Sequence, residues 1–141
     1  MSGRNSSKEE IESFLARDFP QSKGIIEAVG PGTATVRLKV GIDELRPGGT
    51  VSGPVMMAAA DLALYVAILG EIGIVPLAVT TSMTINFLRK PAANRDILGV
   101  CRLLKTGRTL IMGEVSIYSE GGDDPVAHVT GTYAIPPGTA K

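Results

Sequence analysis

Residues 46–69 read RPGGTVSGPVMMAAADLALYVAIL, and this stretch decides the fold. Its opening residues, 46–53, are rich in glycine and proline, which predicts a loop. Pro54 follows at a position suited to the start of a helix, where its fixed φ fits and its missing N–H costs nothing. Over 55–69 nearly every residue is small or apolar, and a helix that is apolar on all sides is a buried helix.

Asp61 is the exception in this apolar run. An isolated ionised carboxylate inside a protein core is costly, so such a group is either bonded by its neighbours or faces a cavity. The sequence therefore leaves two interpretations of Asp61 open. It is either a structural carboxylate held by backbone or hydroxyl donors, or a group that does chemistry.

The length predicts one domain over residues 1–141, in which 1–23 form an N-terminal helix and its lead-in. Fourteen basic and fourteen acidic residues cancel, so no long-range field attracts nucleic acid or an anionic membrane. The N-terminal residues lack the apolar core of a signal peptide, and the run 55–69 is shorter than the ~20 residues that a bilayer needs. A single cysteine, Cys101, fits a reducing compartment. We therefore expect a cytoplasmic protein with no membrane or nucleic-acid partner.

Patterns typical of strands occur both before and after the central helix in the sequence. An amphipathic helix is predicted over 6–18, and then a hairpin of 24–30 and 33–40 around a Gly-Pro-Gly turn. After a break that begins at Gly70, further strands are predicted at 77–89, 96–105, 109–119 and 126–135. Two strands, a buried helix and four more strands predict an α+β domain in which an antiparallel sheet wraps the long helix.

This order of elements resembles the hot-dog fold, and three motifs make the resemblance specific. Acyl-CoA thioesterases similar to those of the phenylacetate pathway, the PaaI-like branch, carry the motif Asn-x-x-Gly-x-x-His-Gly-Gly and then an acidic residue in the following helix. This pattern resembles Arg46, Gly49 and Ser52-Gly53-Pro54, followed by Asp61. Residues 84–91, TINFLRKP, look like the family's strand ending in Phe-Leu-Arg-Pro, and 105–109, KTGRT, look like its basic turn. Arg46, Ser52 and Pro54 replace the family's Asn, His and second Gly, and a serine cannot act as a base near neutral pH.

The resemblance implies an acyl-CoA thioesterase without a cofactor, in which coenzyme A is part of the substrate. Gly53 N–H would donate to the oxyanion, Asp61 would act as general base or as nucleophile, and Thr80 would orient the water. The site would lie between two subunits of a homodimer, which could double to a homotetramer. Other candidate substrate contacts are the neighbours of these groups and the basic residues that would hold the phosphates of coenzyme A: Arg46, Ser52, Thr81, Ser82, Arg89, Lys90, Lys105, Gly107 and Arg108.

Some alternatives stay open at this point. Arg46 would either clamp an acidic acyl group or pair with Asp43 or Glu44. Loss of the family His leaves a non-hydrolytic acyl-CoA-binding or regulatory hot-dog domain as the alternative function. His128 is predicted to be an ordinary strand residue and Cys101 a small core residue, and no spacing typical of metal ligands occurs.

Overall fold

The computed structural model describes residues 6–41 and 44–137. Within these ranges two helices and six strands form, in the order α1 (Lys8–Asp18), β1 (Gly24–Gly30), β2 (Thr33–Leu38), α2 (Gly53–Ile72), β3 (Val79–Phe87), β4 (Ile97–Thr106), β5 (Leu110–Ser119) and β6 (Ala127–Ala134). The strands form one antiparallel sheet in the order β1-β2-β4-β5-β6-β3, so β1 and β3 are its edges. The predicted helices and strands are confirmed, with boundaries that differ by at most three residues. The single domain over 1–141 stays a prediction.

The first helix begins where its capping residues predict. The Ser7 side chain accepts from Glu10 N–H at 3.1 Å, and the Glu10 carboxylate accepts from Ser7 N–H at 2.8 Å. This reciprocal pair satisfies donors that the first turn would otherwise leave unpaired. Ile11, Phe14 and Leu15 form the buried face, which packs against α2 and β1.

The central helix is longer than the sequence predicted. Ser52 caps it, with Ser52 Oγ accepting from Val55 N–H at 3.4 Å, and the helix ends at Gly73, whose φ is 95°. The predicted break at Gly70 is wrong, because this glycine serves helix packing. A Cβ at Gly70 would lie 2.7 Å from Val29 Cγ1, so its absence lets α2 approach β1 closely. By length and composition α2 could cross a membrane, but it is the core helix of this domain, with 56% of its most apolar window buried.

A pair of glycines sets how closely α2 lies on the sheet. Gly113 and Gly131 face each other across β5 and β6. A Cβ at Gly113 would lie 2.8 Å from Leu64 Cδ2, and one at Gly131 would lie 2.6 Å from Leu64 Cδ1. Leu64 is fully buried in the space that the two missing side chains leave. The sheet thus wraps α2 as the hot-dog resemblance predicted, and Asp61 lies one turn before this contact.

Candidate active site

Asp61 is half-buried on α2, and two hydroxyl groups donate to the same oxygen of its carboxylate. Thr80 Oγ1 lies 2.7 Å from Asp61 Oδ1, and the Tyr133 hydroxyl lies 2.8 Å from it. The Tyr133 hydroxyl also lies 3.3 Å from the Asp61 carbonyl oxygen. Among the described residues no group donates to Asp61 Oδ2, so this oxygen keeps its lone pairs for another partner.

The register of the sheet brings these two hydroxyls together. Thr80 on β3 and Tyr133 on β6 are paired directly across the strands. Immediately after Thr80 the pairing slips by one residue, and the extra residue, Thr81, donates to the Thr132 carbonyl at 3.2 Å. A bulge of this kind re-aims the side chains beside it. Thr81 is therefore held by the backbone, while Thr80 points to Asp61 and Ser82 is exposed.

Tyr133 is the site residue that the sequence reasoning missed. It alternates with Ala127, Val129 and Gly131 on the face of β6 that packs inward. A buried tyrosine hydroxyl normally finds a hydrogen-bond partner, and that requirement was the signal available in the sequence. Its partner could not be named without the register of β3 against β6.

An aromatic stack holds the Tyr133 ring in place. The ring centroids of Tyr65 and Tyr133 are 6.0 Å apart with 19° between the planes, and Phe14 of α1 lies 6.4 Å from Tyr65. Burial raises the pKa of Tyr133 far above its usual range, and the negative charge of Asp61 raises it further. Tyr133 therefore stays protonated and remains a hydrogen-bond donor to Asp61.

A cleft of about 860 Å³ lies beside Asp61, between α2 and the segment that begins with α1. Asp61, Thr80 and Tyr133 are part of its wall. Much of the remaining wall is apolar and includes Phe14, Phe19, Leu38, Val55, Leu62 and Tyr65. The arrangement places a carboxylate oxygen at the edge of a space suited to an apolar group.

The start of α2 offers a second group suited to the predicted chemistry. Gly53 is the first helical residue, and none of the described residues accepts a hydrogen bond from its N–H. Ser52 is the cap, so its oxygen is already engaged with Val55 N–H, although its hydroxyl proton can still donate. A Cβ at Gly53 would lie 3.1 Å from Phe87 Cζ, which places Gly53 beside the far end of β3.

Gly53 and Asp61 of one chain are too far apart to act on the same carbonyl group. They are separated by eight residues of α2, which corresponds to about 12 Å along the helix axis. An oxyanion donor and an attacking group must each lie about 3 Å from the atom on which they act. Within one chain the two predicted groups therefore do not form a single reacting centre.

The predicted phosphate-binding residues also divide between two ends of the sheet. Lys105, Gly107 and Arg108 lie at the β4–β5 turn, which the register places at the Val79 end of β3. Arg89 and Lys90 follow Phe87 at the opposite end, about 26 Å along the strand.

The local contacts of these basic residues differ. The Arg89 guanidinium donates to the Pro125 carbonyl, and Gly107 N–H donates to the Leu110 carbonyl at 2.9 Å, which closes the turn. Lys90, Lys105 and Arg108 are exposed. The expected single rim therefore does not form within one chain.

Arg46 lies in the loop before α2 and is exposed. Its backbone closes the loop, because Arg46 N–H donates to the Thr50 carbonyl at 2.8 Å and Gly49 N–H donates to the Arg46 carbonyl at 3.0 Å. Glu44 pairs with Lys23 at 3.8 Å and accepts from Gly41 N–H at 2.6 Å. Asp43, the other partner predicted for Arg46, lies outside the described residues.

The histidine and the cysteine lie in different parts of the sheet. His128 bonds Glu114 Oε1 at 3.1 Å on the sheet face opposite α2, which gives it a partner that the sequence did not reveal. Cys101 is fully buried, as predicted for a core residue. Within residues 6–41 and 44–137, no cluster of three or more His, Cys, Asp or Glu side chains could hold a metal ion.

A six-stranded antiparallel sheet wrapped around a long central helix is the architecture of the hot-dog thioesterases. The chain belongs to the Thioesterase superfamily, whose family model matches residues 48–126. The predicted relationship to the PaaI-like branch is confirmed by this match and by similar solved structures.

Among these structures is a candidate thioesterase from Silicibacter sp. TM1040, with 46% sequence identity, a TM-score of 0.88 and 96% of each chain covered. A variant of the phenylacetic acid degradation protein PaaI from Thermus thermophilus shares 25% identity at a TM-score of 0.72, over 88% of this chain and 99% of that one. A protein from Streptococcus mutans crystallised with acetyl-CoA, at 21% identity, has a TM-score of 0.70 over 80% of this chain and 88% of its own, and this likeness concerns the fold alone. A search of curated proteins gave no match.

Proposed function

We propose that the protein is an acyl-CoA thioesterase, which releases a carboxylic acid and coenzyme A at a site shared between two copies of the chain. The observation that carries this proposal is the Asp61 carboxylate beside a cleft in a member of the Thioesterase superfamily. Two hydroxyls hold one of its oxygens, and none of the described residues donates to the other. Hydrolysis through these groups requires water and no cofactor. We assign the protein to the cytoplasm on its composition.

The exposed edge of β3 supports the shared site. Val79 and Phe87 are 55% and 53% exposed on this strand, and exposed apolar edges are normally covered by pairing. A second copy that pairs its β3 antiparallel to the first, around a two-fold axis near Met83, brings the Thr80 end of one strand to the Phe87 end of the other. Since Gly53 lies beside Phe87, this rotation brings the Gly53 N–H of the second copy toward Asp61. Two such dimers could form a homotetramer.

The same rotation unites the divided basic residues. Lys105 and Arg108 of one copy come to the end of the sheet at which Arg89 and Lys90 of the second copy lie. Together they form a cationic rim suited to the phosphates of coenzyme A. The same two-fold rotation thus brings together the groups of the proposed reacting centre and the residues of the proposed binding rim, and this coincidence favours the dimer.

The proposed reaction begins when the substrate carbonyl oxygen accepts a hydrogen bond from Gly53 N–H. Asp61 Oδ2 removes a proton from water as the water oxygen bonds to the thioester carbon, and negative charge collects on the carbonyl oxygen beside the helix N-terminus. The carbonyl double bond then re-forms as the C–S bond breaks, and the leaving thiolate takes the proton from Asp61 Oδ2 and departs as coenzyme A, which returns Asp61 to its carboxylate form. Attack of Asp61 Oδ2 itself is the second route. It would form a mixed anhydride that water hydrolyses.

The cleft indicates where the acyl group lies. Its volume of about 860 Å³ falls within the range of small-molecule sites, and its apolar wall suits an uncharged acyl chain. Asp18 and Glu44 also line it, so the cleft does not favour an acidic acyl group. Arg46 is not among the described residues that line the cleft, and its predicted role as a clamp for such a group finds no support there.

Asp61→Asn tests the reacting group. The amide oxygen of asparagine can accept the bonds from Thr80 and Tyr133, so the fold and acyl-CoA binding are expected to persist. The amide can neither accept a proton from water nor attack the thioester, so kcat/KM is expected to fall by at least ~10²–10⁴-fold. The assay is thiol release from a series of acyl-CoA esters, with melting curves as a check on folding. Asp123→Asn, in the β5–β6 loop, is the matched control and is expected to keep full activity.

Mixing two inactive variants tests the shared site. Gly53→Pro removes the proposed oxyanion donor at a position where a helix tolerates proline. In a mixed dimer of Gly53→Pro and Asp61→Asn subunits, one of the two sites regains both groups, so random exchange should restore about a quarter of the parent activity. Absence of recovery in confirmed mixed dimers, or a 14.7 kDa monomer by light scattering, would contradict the shared site. A parent protein that binds acyl-CoA without thiol release would favour the non-hydrolytic alternative.

A further inference from the structure

We propose that Tyr133 is a positioning residue of this site, which together with Thr80 fixes Asp61 by its Oδ1 atom and leaves Oδ2 as the reacting oxygen. The inference rests on the proposed function, because it assigns unequal roles to the two oxygens of the catalytic carboxylate. Nothing in the sequence motifs points to the last strand as a part of this site.

The two carboxylate oxygens are chemically equivalent until their surroundings distinguish them. The terminal torsion of an aspartate is broad and roughly two-fold, so an unrestrained carboxylate readily rotates. Here the 2.7 Å bond from Thr80 and the 2.8 Å bond from Tyr133 both end on Oδ1. Two donors that converge from neighbouring strands on one oxygen oppose this rotation and hold Oδ2 in a single direction.

Tyr133 is itself fixed more firmly than the carboxylate that it holds. The residue is 3% exposed, its ring stacks on Tyr65, and its backbone lies in a strand paired on both sides. A tyrosine brings few rotatable bonds, so it can hold a hydroxyl in place at low entropic cost. Because burial and the charge of Asp61 raise the pKa of Tyr133 well above its usual range, its hydroxyl remains a donor near neutral pH. It neither takes nor gives a proton during the reaction.

Tyr133→Phe removes the hydroxyl and keeps the ring that stacks on Tyr65. A hydrogen bond to a charged group contributes about 1.5–3 kcal/mol, so we expect kcat to fall by roughly 10–100-fold. KM should change by less than about two-fold, because the phenol donates to Asp61 and binding of the coenzyme A moiety is not affected. Tyr118→Phe, on the opposite sheet face, is the matched control and should leave both constants unchanged.

A second pair of variants keeps the test decisive if Tyr133→Phe is poorly folded. Thr80→Val removes the other donor to Oδ1 with little change of shape, while Thr80→Ser keeps a hydroxyl. The proposal predicts a fall in kcat for Thr80→Val, near-parent activity for Thr80→Ser, and a larger loss for Thr80→Val combined with Tyr133→Phe. A crystal structure of Tyr133→Phe should show the Asp61 carboxylate in more than one orientation.

The outcomes separate this inference from the proposed function. If Asp61→Asn is inactive while well-folded Tyr133→Phe keeps kcat within about two-fold of the parent, Asp61 reacts and Tyr133 is only a core residue. If a rise in KM or a lower Tm accounts for the whole effect of Tyr133→Phe, the positioning role is also wrong. If Asp61→Asn hydrolyses acyl-CoA normally, the protein is still a thioesterase, but the catalytic role assigned to Asp61 fails first, and the roles of its two oxygens fail with it.

Discussion

Replacement of Gly131 by alanine should strain the contact that sets the height of α2 above the sheet. The added Cβ would lie 2.6 Å from Leu64 Cδ1. The Leu64 side chain cannot turn away, because its other methyl, Cδ2, is already packed so closely against Gly113 that a Cβ there would lie 2.8 Å from it. Overpacking of a dense core costs about 1–3 kcal/mol. The loss of backbone freedom in the unfolded chain offsets about 0.4–1 kcal/mol of this cost. The expected net destabilisation is about 1–2 kcal/mol.

Thermal melting measures this loss, which corresponds to a Tm lower by about 3–8 °C for a domain of this size. Gly41→Ala is the matched control, because a Cβ there meets only the flexible end of Glu44, at 3.3 Å. The control should be neutral or slightly stabilising.

A double-mutant cycle with Leu64→Ala tests whether the strain arises from this contact. Leu64→Ala alone should cost about 2–5 kcal/mol, since it leaves a cavity under α2. When Leu64 is already truncated, Gly131→Ala has room for its methyl group, so the double variant should be more stable than the sum of the two losses predicts. Additive losses, or a Gly131→Ala protein as stable as its parent, would refute the argument that Leu64 occupies the glycine pair.

Two further predictions concern the charges and the thiol. Replacement of Lys105 and Arg108 together by alanine should raise KM for acyl-CoA more than it lowers kcat, because phosphate binding is largely equal in the ground and transition states, and the difference from the parent should shrink at high salt. An unchanged KM would mean that Lys105 and Arg108 do not bind the phosphates of coenzyme A. Burial raises the pKa of Cys101 from 9.0 to about 12, so a thiol reagent at pH 8 should label the folded protein far more slowly than the unfolded one. Because the folded thiol has the higher pKa, its contribution to stability is complete below pH 9 and is lost as the pH rises toward 12, which denaturant titrations of the parent and Cys101→Ala would detect.

The sequence by itself determined the elements and their order. A nearly continuous apolar run predicts a buried helix, and alternating strands with glycine-rich turns predict a sheet that covers it. Because the run contains one carboxylate, Asp61 stood out as the group that needed an explanation. The loop before the helix and the basic turn at 105–109 completed the resemblance to a thioesterase. These features are local, so their periodicity and composition are visible in the chain.

The tertiary structure decided which groups meet. Thr80 pairs with Tyr133 just before a one-residue slip at Thr81, and no local pattern reports the register between residues that are 53 positions apart in the chain. The fold also places Arg89 and Arg108 at opposite ends of the sheet, so the predicted basic residues do not form one rim within a single chain. Long-range pairing and packing determine these relations, because they depend on how the whole sheet closes on α2 and not on any segment alone.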